Sequence, residues 1–134
     1  MPGTKGIVIA GLAGGSGKSV AAVGITAAWA RSGRTVAPFK KGPDYIDAGW
    51  LQCAAGRDCC NLDPFLVSEE MIIASFQQRS ADADLALVEG NRGLYDGVTA
   101  QGGFSTAELS LTLGLPTLLA VTRRKNTGSV VAHG

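Results

Sequence analysis

The sequence predicts an α/β fold: a mostly parallel sheet covered by helices on both faces, with a phosphate-binding loop at the end of its first strand. Three observations predict it. Short, almost wholly apolar segments alternate with helical ones, the pattern of a parallel sheet buried on both sides. A glycine-rich turn ending in Gly17-Lys18-Ser19 stands between the first strand and the first helix. The 19 glycines lie in clusters without a period, so they shape loops and exclude a collagen repeat.

In chain order, Gly6-Ile-Val-Ile-Ala10 is a β-branched apolar run and reads as a buried strand. Lys18 to Arg31 is alanine-rich and proline-free, and reads as a helix closed by Ser32-Gly33. Thr35 to Phe39 is a second strand, with Pro38 near its end. Lys40 to Pro64, rich in Gly, Pro, Asp and Asn, reads as a long functional loop. Ser68-Glu-Glu70 opens a helix through Gln78, with acids in the first turn where they favour the helix dipole. Leu85-Ala-Leu-Val88 is a third strand, and Asn91 to Gly103 a second glycine-rich loop. Ser105-Thr-Ala-Glu108 is a capping box opening a helix to about Leu113, and Gly114 closes it. Thr117 to Val121 is a fourth strand, and Thr127 to His133 resembles the first turns of another helix. Four strands make a thin sheet, so the chain is read as the front part of a larger, incomplete fold. An unpaired sheet edge would favour self-association into a homo-oligomer.

Composition narrows the function. An apolar fraction of 46% against 17% charged residues suits a buried core and excludes disorder. A net charge of +1 gives no field aimed at nucleic acid or an anionic membrane. No apolar run approaches the roughly 20 residues of a membrane span, and the start lacks the basic and apolar regions of a signal peptide. The expected setting is the cytoplasm, with Cys53, Cys59 and Cys60 as reduced thiols. One histidine, His133, argues against a Ser-His-Asp or Cys-His centre within this chain. Trp29 and Trp50 are expected to pack.

The strongest motif is Gly11-Leu-Ala-Gly-Gly-Ser-Gly-Lys-Ser19. Glycines let the backbone turn with positive φ and bring its N–H groups close to phosphate oxygens. The helix N-terminus adds partial positive charge. Gly14, Gly15, Ser16 and Gly17 are therefore the expected nucleotide cradle. Lys18 would reach the β- and γ-phosphates of ATP, and the Ser19 hydroxyl would ligate Mg²⁺. The motif departs from G-x-x-x-x-G-K-[ST] in one place: Leu12 stands where glycine is specified, and the leading glycine is Gly11.

Acids at the C-terminal ends of strands can complete the shell of Mg²⁺, because ligands bind in that crevice. Glu89 follows the third strand, and Asp44 and Asp47 lie in the loop after the second. Ser19, Asp44 and Glu89 are the expected metal ligands. Lys40 and Lys41 emerge at the end of the second strand, and one of them, Lys40 before Lys41, would neutralise a transferring phosphoryl group or a substrate carboxylate. Lys18, Lys40, Asp44 and Glu89 form the expected catalytic set. Tyr45, Asp47, Arg92, Tyr95 and Asp96 are the candidate substrate contacts.

Taken together, these segments resemble the cobyrinate a,c-diamide synthases, glutamine-dependent amidases of corrinoid biosynthesis. The resemblance rests on Gly-Ser-Gly-Lys-Ser19, Pro38-Phe-Lys-Lys-Gly-Pro-Asp-Tyr-Ile-Asp47, Asn61-Leu-Asp-Pro64, Val88-Glu-Gly-Asn-Arg-Gly-Leu-Tyr-Asp-Gly97 and Ser105-Thr-Ala-Glu-Leu109. It covers roughly residues 5 to 122 and implies a P-loop NTPase-like fold related to dethiobiotin synthetase. It implies phosphorylation of a tetrapyrrole side-chain carboxylate by ATP, then displacement of phosphate by ammonia from glutamine. It also implies a C-terminal glutaminase domain as partner. Residues 1–134 are read as the N-terminal part of the synthetase domain without that glutaminase, and alone are expected to lack glutamine-dependent activity. Thr122 stands where the family usually has an aspartate, and Thr122 to Gly134 matches poorly. Rival readings are a nickel-tetrapyrrole amidase, a dethiobiotin synthetase-like ligase and a partition-type ATPase switch. The last usually carries a second loop lysine where this chain has Ala13.

Overall fold

The computed structural model describes residues 5–12, 17–97 and 103–121. The strands are β1 (Gly6–Gly11), β2 (Val36–Lys41), β3 (Cys60–Leu62), β4 (Leu85–Gly93) and β5 (Thr117–Ala120). The helices are α1 (Lys18–Arg31), α2 (Tyr45–Ala55), α3 (Glu69–Ser80) and α4 (Thr106–Leu113). All strand pairings are parallel, in the order β3-β2-β4-β1-β5.

The predicted parallel, two-faced sheet is present. On one face Ile9, Val36 and Leu87 pack with Ala22 of α1 and Leu51 of α2. On the other, Val8, Phe39, Ala86 and Val88 pack with Ile72 and Phe76 of α3 and Leu109 of α4. The Phe39 and Phe76 rings meet with centroids 5.0 Å apart. Alternate residues of each strand thus serve opposite cores, as the period of two requires.

The sheet corrects the expected four strands to five, and the expected loop from Lys40 to Pro64 holds a helix and a strand. Asp44 starts α2 by accepting from the backbone N–H groups of Ile46 and Asp47 at 3.0 and 3.1 Å. Gly56 ends it at φ 73°, a left-handed cap. β3 has three residues, too few for a periodic signal. It begins opposite Phe39, so Pro38 sits where β2 has no neighbour on that side and its missing N–H costs no ladder bond.

Two strands run further than expected. β2 continues through Lys40 and Lys41, both buried. β4 continues through Glu89 to Gly93, so Glu89 lies inside the strand rather than after it. The helix Lys18–Arg31 has the expected bounds, and Gly33 at φ 92° follows its end. Ser105 caps α4 from the Glu108 N–H, while the Glu108 carboxylate accepts from Phe104, one residue earlier than a standard capping box. Trp29 packs against the α1/α2 core, but Trp50 is exposed and does not fill the packing role expected of it. β5 lies at one sheet edge with Thr117, Leu118 and Leu119 exposed. Among the described residues no helix is long and apolar enough to cross a membrane.

Candidate functional site

The topology dictates where a ligand fits. β1 and β2 feed helices on one face of the sheet, and β4 feeds α4 on the other. Adjacent strands whose connections diverge open a crevice at their C-terminal ends. The ends of β1, β2 and β4 meet there, tied by the N–H of Leu94 donating to the carbonyl of Gly11 at 2.7 Å.

Gly17 stands at the mouth of that crevice with φ 81°, a conformation that favours glycine, and its carbonyl begins α1 by accepting from Ala21. Lys18 and Ser19 form the first turn of α1. Gly14, Gly15 and Ser16 of the expected cradle lie outside the described residues.

Four expected site residues converge although they are distant in sequence. The Ser19 hydroxyl donates to Glu89 Oε2 at 2.8 Å, with Asp47 Oδ2 at 3.4 Å as a second acceptor. Lys40 Nζ donates to Glu89 Oε2 at 3.1 Å and to the Gly90 carbonyl at 2.7 Å. It also pairs with Asp47 at 3.6 Å. Lys40 is 1% exposed and Glu89 0%, so this is a buried charge pair. Such a pair persists only when both partners are present and further hydrogen bonds satisfy them. Gly90 allows the approach of α4: a Cβ there would stand 2.5 Å from the Thr106 methyl and 3.0 Å from the Ile9 carbonyl.

Asp44 plays a different local part. Its Oδ1 caps α2, and Asp47, three residues on, reaches Ser19 and Lys40 instead. Burial pushes the Asp44 carboxyl up, but the backbone N–H groups it accepts from and the Lys40 charge outweigh that and hold it below 3.8. Tyr45 and Tyr95 are exposed. Arg92 is exposed at φ 55° and donates to the Gly97 carbonyl at 3.1 Å, and Asp96 accepts from the Gly93 N–H at 2.9 Å. Arg92, Tyr95 and Asp96 of the expected substrate set lie beyond the Lys40–Glu89 cluster, around the end of β4, and Tyr45 opens α2. Lys41, the alternative to Lys40 for the charge-neutralising role, lies buried at the same strand end. Strand alternation after Lys40 was the available signal for it.

Among the described residues two buried side-chain oxygens have no hydrogen-bond partner, Thr26 Oγ1 in α1 and Glu89 Oε1 in the site. Glu89 Oε1 is shielded from solvent and makes no hydrogen bond, although Oε2 is fully engaged. An unsatisfied buried carboxylate oxygen beside a serine hydroxyl is suited to a hard cation. Among the described residues no three His, Cys, Asp or Glu side chains cluster tightly enough to hold a metal alone. Glu89 Oε1 and the Ser19 hydroxyl offer two oxygens of the kind Mg²⁺ takes beside waters and phosphate oxygens.

The three cysteines are free. Burial, with Cys60 and Glu89 nearby, pushes the Cys59 thiol up to about 12, and burial raises Cys60 as well. Cys53 is exposed. Iodoacetamide at about pH 8 is expected to alkylate Cys53 first and leave Cys59 last, read by peptide mass spectrometry. Equal rates at the two would contradict this packing.

The chain is similar to proteins already known. A profile of the CobQ/CobB/MinD/ParA nucleotide binding domain matches residues 7–96. A cobyrinate a,c-diamide synthase of Magnetococcus marinus is 50% identical over 106 residues, covering 79% of this chain and 23% of that protein. A hydrogenobyrinate a,c-diamide synthase of Mycobacterium bovis is 44% identical over 135 residues, 96% of this chain and 30% of that protein. A cobyrinate a,c-diamide synthase of Syntrophotalea carbinolica is 45% identical over 116 residues, 86% and 25% respectively. The chain thus spans between about a quarter and a third of the length of these relatives.

Proposed function

The chain belongs to the CobQ/CobB/MinD/ParA nucleotide-binding domain family, and on that footing we propose that it binds ATP with Mg²⁺ and activates a side-chain carboxylate of a corrinoid for amidation. The observation that supports this most is the convergence of Ser19, Lys40, Asp47 and Glu89 at the end of β1, β2 and β4, with Glu89 Oε1 unpartnered.

In this reading the loop from Gly11 to Ser19, with Gly14, Gly15, Ser16 and Gly17, carries the triphosphate, and Lys18 reaches its β- and γ-phosphates. Ser19 and Glu89 would hold Mg²⁺, with Asp44 and Asp47 close by to take its waters. When bound, the ion supplies charge neutralisation for the phosphates. The substrate carboxylate oxygen bonds to the γ-phosphorus as the bond to the β–γ bridging oxygen breaks, giving an acyl phosphate and ADP. Ammonia then attacks the acyl carbon, loses a proton, and expels phosphate to leave the amide. Lys40, held by Glu89 and the Gly90 carbonyl, presents a fixed positive charge to the transferring group and needs no rearrangement to do so. Tyr45, Arg92, Tyr95 and Asp96 would border the macrocycle.

The chain is the N-terminal part of the synthetase in this account, with ammonia supplied by a glutaminase domain outside these residues. Exchanged for the matching segment of the Magnetococcus marinus relative, it is expected to support ATP- and glutamine-dependent conversion of cobyrinate to its a,c-diamide. A folded, ATP-binding chimera that forms no diamide would overturn the reading.

A further inference from the structure

Lys41 is 3% exposed yet makes no hydrogen bond or ion pair among the described residues. It follows Lys40 in β2, so its side chain leaves the opposite face of the strand. There it lines a cavity of about 200 Å³ with Arg92, Asn91, Asp63 and Asp96, beyond the ends of β2 and β4. Burial lowers the Lys41 pKa, the Asp63 charge offsets part of that, and Arg92 and Lys40 push it down further. The two acids do not neutralise the cations by contact. Asp63 Oδ1 accepts from the Phe65 N–H and Asp96 Oδ2 from the Gly93 N–H, and neither forms an ion pair with Lys41 or Arg92. The Lys41 ammonium borders this cavity without a side-chain partner among the described residues, and an anion there would give it one. Besides these two acids the polar lining holds a second cation, Arg92, whose guanidinium donates to the Gly97 carbonyl, and the neutral amide of Asn91.

We propose that Lys41 and Arg92 form a carboxylate subsite that holds a non-reacting carboxylate of the macrocycle, across β2 from the phosphoryl-transfer site. The assignment rests on the amidation reading above. A polycarboxylate lying over the tip of β2 would place one carboxylate towards Lys40 and another towards Lys41. Because the two lysines are adjacent in the chain, one rigid strand end would set the spacing between the reacting and the anchoring group, and with it which carboxylate reacts.

The test is equilibrium binding of cobyrinate to this chain, wild type, K41M and R92Q, followed by corrin absorbance. Binding of a non-hydrolysable ATP analogue with Mg²⁺ serves as the control. Loss of one charge-assisted contact is expected to weaken cobyrinate binding by about tenfold to a hundredfold in each variant. Nucleotide affinity should stay within about twofold of wild type. Fully methyl-esterified cobyrinate should not distinguish wild type from variant, because the subsite reads charge. K41M removes a charge that no described side chain pairs with, so its melting temperature should stay close to wild type while its affinity for cobyrinate falls. Cobyrinate affinity unchanged in K41M, or an equal loss for the ester, would overturn the subsite and leave the amidation reading standing. Wild-type chain that binds the ATP analogue but no cobyrinate would remove the corrinoid reading and the subsite with it.

Discussion

Replacing Lys18 with alanine is expected to weaken ATP–Mg²⁺ binding by about a hundredfold or more. Two charge-assisted contacts, to the β- and γ-phosphates, would disappear together, each contributing about 1.5–3 kcal/mol. Lys18 is half-buried at the start of α1 and makes no ion pair among the described residues, so the fold has little to lose. The variant should melt within a few degrees of wild type while calorimetric titration shows no saturable nucleotide binding. Affinity unchanged by this substitution would mean that the loop does not carry the triphosphate.

The second large effect concerns Lys40. Lys40→Met would leave Glu89, fully buried, as an uncompensated carboxylate beside Asp47. Breaking a buried pair from one side typically costs about 3–5 kcal/mol, which at a slope of about 2 kcal/mol per molar urea lowers the unfolding midpoint by about 2 M. The double variant K40M/E89Q should recover most of that loss, because the remaining amide can be satisfied without a counter-charge. It should not recover diamide formation in the chimera described above, because the cation facing the transferring phosphoryl group is gone. A K40M midpoint close to wild type would show that the pair is not buried as described.

Much of this arrangement is written locally in the sequence. The helix from Lys18 to Arg31 has both its limits in the text: a glycine-rich approach, an alanine-rich body and a Ser-Gly end. The parallel sheet is legible because strands buried on both faces need unbroken apolar runs, and Ile7-Val-Ile9 and Leu85-Ala-Leu-Val88 supply them. The helix from Tyr45 to Ala55 is less legible. Gly42-Pro-Asp44 carries turn chemistry, and that same aspartate is the helix cap. The signals for a turn and for a helix start are shared, and only the left-handed Gly56 at the far end separates them.

The site divides in the same way. Ser19, Lys40, Asp47 and Glu89 can each be singled out from motif and position. Their meeting cannot, because Lys40 and Glu89 are 49 residues apart and are joined by the β2–β4 register that places them opposite each other. Strand register also hides Lys41. A sequence shows two adjacent lysines, and only burial on both faces of the sheet reveals that they serve different sides of it. Asp44 and Asp47 exchange emphasis for a similar reason. The cap fixes one carboxylate to the helix backbone and leaves its neighbour one turn later to face the crevice.

The most direct measurement is a crystal structure of this chain grown with Mg²⁺ and a non-hydrolysable ATP analogue. The account predicts the triphosphate wrapped by the segment from Gly11 to Ser19, Lys18 on its outer phosphates, and the ion between the Ser19 hydroxyl and Glu89. Nucleotide bound elsewhere, or a loop closed by its own side chains with Glu89 far from any ion, would contradict it.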